Sequence, residues 1–101
     1  MREFLVRITT TVPEGTPPEE VAARRAAEAE HAGELAAAGH LYRLWRPEGE
    51  RRASVGIWCA DNEAELHAKV LDTLPLRPWM TVAVTPLEPH PSDPGRADGS
   101  P

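Results

Sequence analysis

Glu28 is the residue of this sequence whose setting most demands a chemical explanation. It lies in an alanine-rich stretch, and at about 100° per residue, helix positions seven apart fall within roughly 20° of each other. Val21, Glu28 and Leu35 therefore stack on one line, with Arg25 and Ala32 beside it. Both ends of the line are apolar, so this is the face a helix turns inward. A carboxylate there is costly unless it is paired, neutralised or put to use. The spacing favours pairing, because Arg24 and Arg25 sit one turn back. The alternative is a general base whose pKa burial raises toward working pH.

The second group of interest follows at once, in His40-Leu41-Tyr42-Arg43-Leu44-Trp45-Arg46. Strict alternation puts Leu41, Arg43 and Trp45 on one face of a strand and Tyr42, Leu44 and Arg46 on the other. A planar guanidinium holds a small carboxylate at two points, so Arg25, Arg43 and Arg46 are candidates to bind an acidic substrate beside Trp45. The same arginines could equally pair with the chain's surplus acids. His31, His40, His67 and His90 do not share a metal-ligand spacing, and no metal site is expected. A carboxylate, a few arginines and a histidine flanking an apolar stripe suffice for proton transfer on an anionic small molecule.

These residues must be carried by a small scaffold. The chain has 101 residues, the size of one domain with a modest core. Its formal net charge of -5 argues against nucleic acid or an anionic membrane as partner. The single cysteine, Cys59, excludes an intramolecular disulfide and reads as a packed thiol. Neither a secretory leader pattern nor a membrane-length apolar run is present, which points to the cytoplasm. Walker and dinucleotide glycine motifs and C-x-x-C pairs are missing, so nucleotide and zinc readings have no motif to rest on.

Residues Glu3 to Val12 alternate as a strand. Thr16, Pro17 and Glu19 then have the spacing of a helix start with a capping box, and Gly39 is placed to end that helix. His40–Arg46 and Arg52–Cys59 read as two strands joined by a turn through Pro47-Glu48-Gly49-Glu50. Asn62 with Glu65 caps a second helix bearing Leu66, Val70 and Leu74, with His67 on its flank. Trp79 to Leu87 is the last strand. The order strand, helix, strand, strand, helix, strand predicts an α+β, ferredoxin-like βαββαβ fold, with a four-stranded antiparallel sheet and two helices on one face. The domain is expected over 1–90, with 91–101 a polar tail too poor in apolar groups to order itself. In one of the two registers open to the strands, the uncovered face would carry Trp45 with Arg43, and Trp58, with Trp79 a further candidate. An apolar face of that kind predicts a homo-oligomer.

The series Leu44-Trp45-Arg46, Glu65-Leu66-His67, Leu74-Pro75-Leu76, Pro78, Met80, Thr85-Pro86-Leu87 and His90-Pro91-Ser92, with Phe4-Leu5-Val6-Arg7 at the start, resembles the muconolactone delta-isomerase family. The resemblance covers roughly residues 1–92. It implies a ferredoxin-like protein of the dimeric α+β barrel type, without cofactor, assembling into homo-oligomers as large as decamers. It further implies a proton shift within a butenolide ring, in the β-ketoadipate branch of aromatic catabolism. Glu28 would then match an acid of that shift, and His67 and Arg46 recurring residues. The chain departs from the family pattern at Ala29, where a lysine is common, at Arg43, where a histidine is common, and at Arg77, where an aromatic is usual. The Pro47–Arg52 turn and the second helix each carry about one extra residue. The expected site is thus Glu28 and His67 for proton transfer, with Arg25, Arg43, Arg46 and Trp45 at the substrate. A related isomerase or cyclase acting on another lactone or enone is the alternative within the enzymes. A small monooxygenase and a non-catalytic binding or assembly module are the alternatives outside that chemistry.

Overall fold

The computed structural model describes residues 1–95. β1 (Arg2–Thr10) alternates Phe4, Val6 and Ile8 inward with Leu5, Arg7 and Thr9 outward, and those three inward side chains are buried. α1 (Pro18–Ala37) follows, then β2 (Leu41–Trp45) and β3 (Ala53–Ala60). A second helical segment spans Glu63–Glu65, Leu66–Val70 and Leu71–Thr73, a 3-10 turn covers Arg77–Trp79, and β4 (Met80–Pro86) closes the fold. The four strands form one antiparallel sheet in the order β2-β3-β1-β4. The α+β, ferredoxin-like architecture expected from the sequence is the one observed. No helix among the described residues is long and apolar enough to cross a membrane.

The core lies between the sheet and the helices. It joins Phe4, Val6 and Ile8 of β1 to Trp58 and Ala60 of β3, Leu35 of α1, and Leu66, Val70, Leu71 and Leu74 of the second segment. Leu35 is the single buried residue of α1, so alanines supply most of that helix's inward surface. Gly39 ends α1 as expected. It takes φ +88° while its N–H reaches Ala36 O at 3.1 Å and the His40 N–H reaches Leu35 O at 2.9 Å, which is a Schellman closure.

The helix start differs from expectation. Pro17 occupies the N-cap without a side-chain cap bond, and the Thr16 hydroxyl donates instead to Pro13 O at 2.6 Å, closing the preceding turn. In the second segment Asn62 does cap, its Oδ1 accepting from Glu65 N at 2.8 Å. The Glu65 carboxylate accepts in return from a residue further back, the Asp61 N–H, at 2.9 Å. After one α-turn the backbone widens to a π-turn at Leu66–Val70 and tightens to a 3-10 turn at Leu71–Thr73. That change of pitch buries Leu71 as well as Leu66, Val70 and Leu74.

Three placements correct the sequence reading. The register of β2 shifts between Leu41 and Arg43. This bulge puts Leu41, opposite Trp58, and Leu44, opposite Gly56, on the same helix-facing side. Arg43 and Trp45 pair with Ile57 and Val55 and take the open side. Trp58 is opposite Phe4 and only 2% exposed, so it belongs to the core and not to the open face. Trp79 is in the 3-10 turn before β4, packed 4.9 Å beneath the Arg24 guanidinium, not on the strand. Beyond β4, Ser92 N donates to His90 Nδ1 and Asp93 N to His90 O, each at 3.0 Å. The expected polar tail of 91–101 thus begins with two turns, and its residues 96–101 lie outside the described residues.

Candidate active site

The inward line of α1 runs over the end of the sheet where β1 finishes and β3 begins. Small side chains face each other there: Ala29 and Ala32 on α1, Ala53 and Ser54 on β3. Because neither wall fills the gap, a cleft of about 410 Å³ remains, within the size range of small-molecule sites. Ile8, Leu44, Trp58, Leu76 and Met80 give it apolar walls. Glu28 is its single lining carboxylate, facing the arginines Arg25, Arg46, Arg51 and Arg52.

Glu28 is half-buried. The expected ion pair to Arg24 or Arg25 does not form. Arg24 is drawn to Glu20 at 3.5 Å, to Pro75 O at 3.0 Å and over Trp79. Arg25 lines the cleft without coming within 4.0 Å of a carboxylate among the described residues. Glu28 Oε1 instead accepts the backbone N–H of Leu76 at 2.9 Å. That leaves Oε2 without a hydrogen bond among the described residues. Desolvation raises the Glu28 pKa above its ordinary 4.5, against smaller opposing effects of the Leu76 N–H and of His31. One oxygen fixed by the backbone, one free, and a raised affinity for protons are the attributes of a positioned general base.

The Leu76 amide is available because of local sequence. Pro75 and Pro78 prevent Leu74–Pro78 from continuing a helix, and the chain bends so that the Leu76 N–H points back at α1. Leu76 itself is 8% exposed. His31, one turn on from Glu28, braces the two elements: Nδ1 lies 2.8 Å from Glu34 Oε1 and Nε2 2.7 Å from Thr73 Oγ1.

Of the residues singled out from the sequence, the cleft brings together Glu28, Arg25 and Arg46. His67 is not among its lining residues; it lies 3.5 Å from Glu63 Oε2 on the outer side of its own helix. Arg43 and Trp45 are on the opposite sheet face, the guanidinium 4.6 Å above the indole. Sequence reasoning passed over Arg51, Arg52 and the Leu76 amide, and placed Trp58 on the far face of the sheet. The arginine doublet directly before a strand was a visible signal; the amide was not. The Trp58 indole N–H is buried without an acceptor among the described residues. No group of acids, histidines and cysteines suited to a metal is found among the described residues.

The family model described as muconolactone delta-isomerase matches residues 2–93. The chain belongs to the muconolactone delta-isomerase family. It is 36% identical over 89 residues to muconolactone delta-isomerase 1 of Acinetobacter lwoffii, covering 88% of this chain and 91% of that one. It is 36% identical over 89 residues to the muconolactone delta-isomerase of Cupriavidus pinatubonensis, covering 88% and 95%. Among solved structures, the crystal structure of muconolactone isomerase superposes with a TM-score of 0.81 at 32% identity, over 90% of this chain and 93% of that one. The arrangement of strands and helices around Glu28 is thus that of the family.

Proposed function

We propose that the chain is an isomerase that moves a proton α to the carbonyl of a small anionic butenolide, muconolactone or a close relative. The observation that carries this is Glu28: a half-buried carboxylate with a raised pKa, hydrogen-bonded at one oxygen only and facing a cleft lined with arginines. The ionised Glu28 Oε2 takes the proton from the acidic ring carbon. The electron pair moves toward the lactone carbonyl, whose oxygen gains negative charge, and the nearby guanidiniums stabilise that charge. Glu28 then returns the proton at the other end of the conjugated system, so the double bond shifts and the carboxylate is regenerated. Arg25 and Arg46 hold the substrate's own carboxylate. No redox step occurs, and the chemistry needs no cofactor.

The names of the relatives support the substrate class. Ala29 favours a second reading, since it lines the cleft where a lysine is common in the family. A lactone or enone other than muconolactone would suit the space that a lysine would otherwise occupy. His67, Arg43 and Trp45 take no part in the proposed chemistry within one chain. We further infer that the open sheet face is covered by another copy of the chain, forming at least a dimer. Leu5 and Trp45 lie on that face at 36% and 47% exposure, and large apolar side chains on an uncovered sheet face favour association. The test of the activity is deuterium incorporation into muconolactone in heavy water, with Glu28→Gln as the control.

A further inference from the structure

The cleft has two kinds of wall. Its rim is charged, since Arg25, Arg46, Arg51 and Arg52 line it and all four are exposed. Its floor is apolar and closed, with Ile8, Trp58 and Leu76 buried. One polar group belongs to that floor: the indole N–H of Trp58, which has no acceptor among the described residues. A buried donor left unpaired is costly, and an indole nitrogen can only donate. Whatever relieves it must therefore bring an acceptor into the cleft.

The backbone aims that donor. Ser54, Gly56 and Trp58 pair with Ile8, Val6 and Phe4 of β1, so all three share the helix-facing side of β3. Trp58 Nε1 lies 3.1 Å from the point a Cβ on Gly56 would occupy. The edge of the indole that carries the proton is thus turned along β3 toward Ser54, which lines the cleft. The missing side chain at Gly56 gives it room. Leu44 Cδ1 lies 2.9 Å from the same point, so this methyl group packs beside the nitrogen and shields it. Leu44 is 48% exposed and also lines the cleft. An exposed side chain changes rotamer readily, so an entering ligand can turn it aside.

We propose that the Trp58 indole N–H donates to the carbonyl oxygen of the lactone and stabilises the negative charge that this oxygen gains when Glu28 removes the proton. This rests on the reading of the cleft as the active site and assigns the reacting end of the substrate to its floor. The two walls suit the two ends of such a molecule. An ionised carboxylate stays with the exposed guanidiniums, because burying it among apolar groups is unfavourable. A neutral carbonyl can enter the floor, where its single acceptor oxygen meets the single unpaired donor. With water kept out by the apolar walls, that hydrogen bond strengthens as charge grows on the oxygen. The N–H therefore favours the transition state over the bound substrate.

Proton–nitrogen correlation spectra give one indole signal for each of the three tryptophans, and Trp58→Phe identifies the signal of Trp58. If that variant does not fold, Trp45→Phe and Trp79→Phe identify it by elimination. The probe is the saturated counterpart of muconolactone, which keeps the carboxylate and the lactone carbonyl but has no double bond to move. Its addition should shift the Trp58 indole proton downfield. The matching cyclic ether, which lacks the carbonyl oxygen, should leave that signal in place. In turnover of muconolactone, Trp58→Phe, shown to be folded by circular dichroism, should lower kcat by about 10²-fold, the usual contribution of one oxyanion donor. Its KM should change by less than about threefold. No binding of the saturated lactone, an unmoved Trp58 signal, an equal shift with the ether, or a folded variant with kcat within about threefold of the unmodified protein would each overturn the proposal. Deuterium exchange into muconolactone is measured separately. Exchange without a shift removes the role of Trp58 alone, and a shift without exchange removes the isomerase reading.

Discussion

Glu28 connects stability to function through one proton. Its raised pKa means that the folded chain holds that proton more tightly than the unfolded chain does. The resulting stability is fully present below the ordinary value of 4.5 and is lost as pH rises through the raised folded-state value. At neutral pH the ionised side chain therefore costs stability. Glu28→Gln keeps an oxygen for the Leu76 N–H and removes the charge. Its melting temperature at pH 7 should equal or exceed that of the unmodified protein, and the difference should vanish below pH 4.5. Turnover should fall by about 10²-fold or more, the usual contribution of a positioned base. The pH profile of kcat/KM in the unmodified protein should show an acid limb above 4.5, which the variant's residual activity should lack. Trp58 offers a second test at this scale. An unsatisfied buried donor costs about 1–3 kcal/mol, which offsets the packing lost on shrinking the ring. Trp58→Phe should therefore unfold in urea within about 1 kcal/mol of the unmodified protein, where truncation of a buried aromatic to alanine costs about 3–5.

The elements show where sequence patterns suffice and where they stop. Period-two alternation placed β1 and β4 correctly, because Phe4, Val6 and Ile8, and Met80, Val82 and Val84, face the helices without interruption. The helical line through Val21, Glu28 and Leu35 also held, since its spacing follows from helix geometry alone. Alternation failed at β2, where the bulge after Leu41 moves Leu44 to the helix side. A bulge is set by contacts with the neighbouring strand, and these are not local in sequence. Gly56 pairs with Leu44, just beyond that bulge. A Cβ there would lie 2.6 Å from Arg43 O and 2.9 Å from Leu44 Cδ1, so Gly56→Ala should push β2 away and cost about 1–3 kcal/mol in a urea titration. The partner of Glu28 was illegible for a related reason. The nearest charges in sequence suggested Arg24 and Arg25, while Trp79 and Pro75 drew Arg24 elsewhere and an amide 48 residues away took the carboxylate.

At the scale of the whole molecule, one sheet face is closed by helices and the other is open. The sequence indicated that imbalance but assigned Trp58 to the wrong side. With Trp58 inside, Trp45 is the tryptophan of the open face. Trp45→Ala should lower the particle mass seen by light scattering at micromolar concentration, while a monodisperse 11.1 kDa particle from the unmodified protein would refute a covered face. The cleft lies at the end of the sheet where α1 contributes alanines and a carboxylate and the turn before β3 contributes arginines. The most direct test of the central claim is proton exchange itself. Muconolactone incubated with the protein in heavy water should gain deuterium at the α or γ carbon, and Glu28→Gln should slow that gain by about 10²-fold or more. Exchange no faster than buffer alone, or a variant as fast as the unmodified protein, would contradict the account.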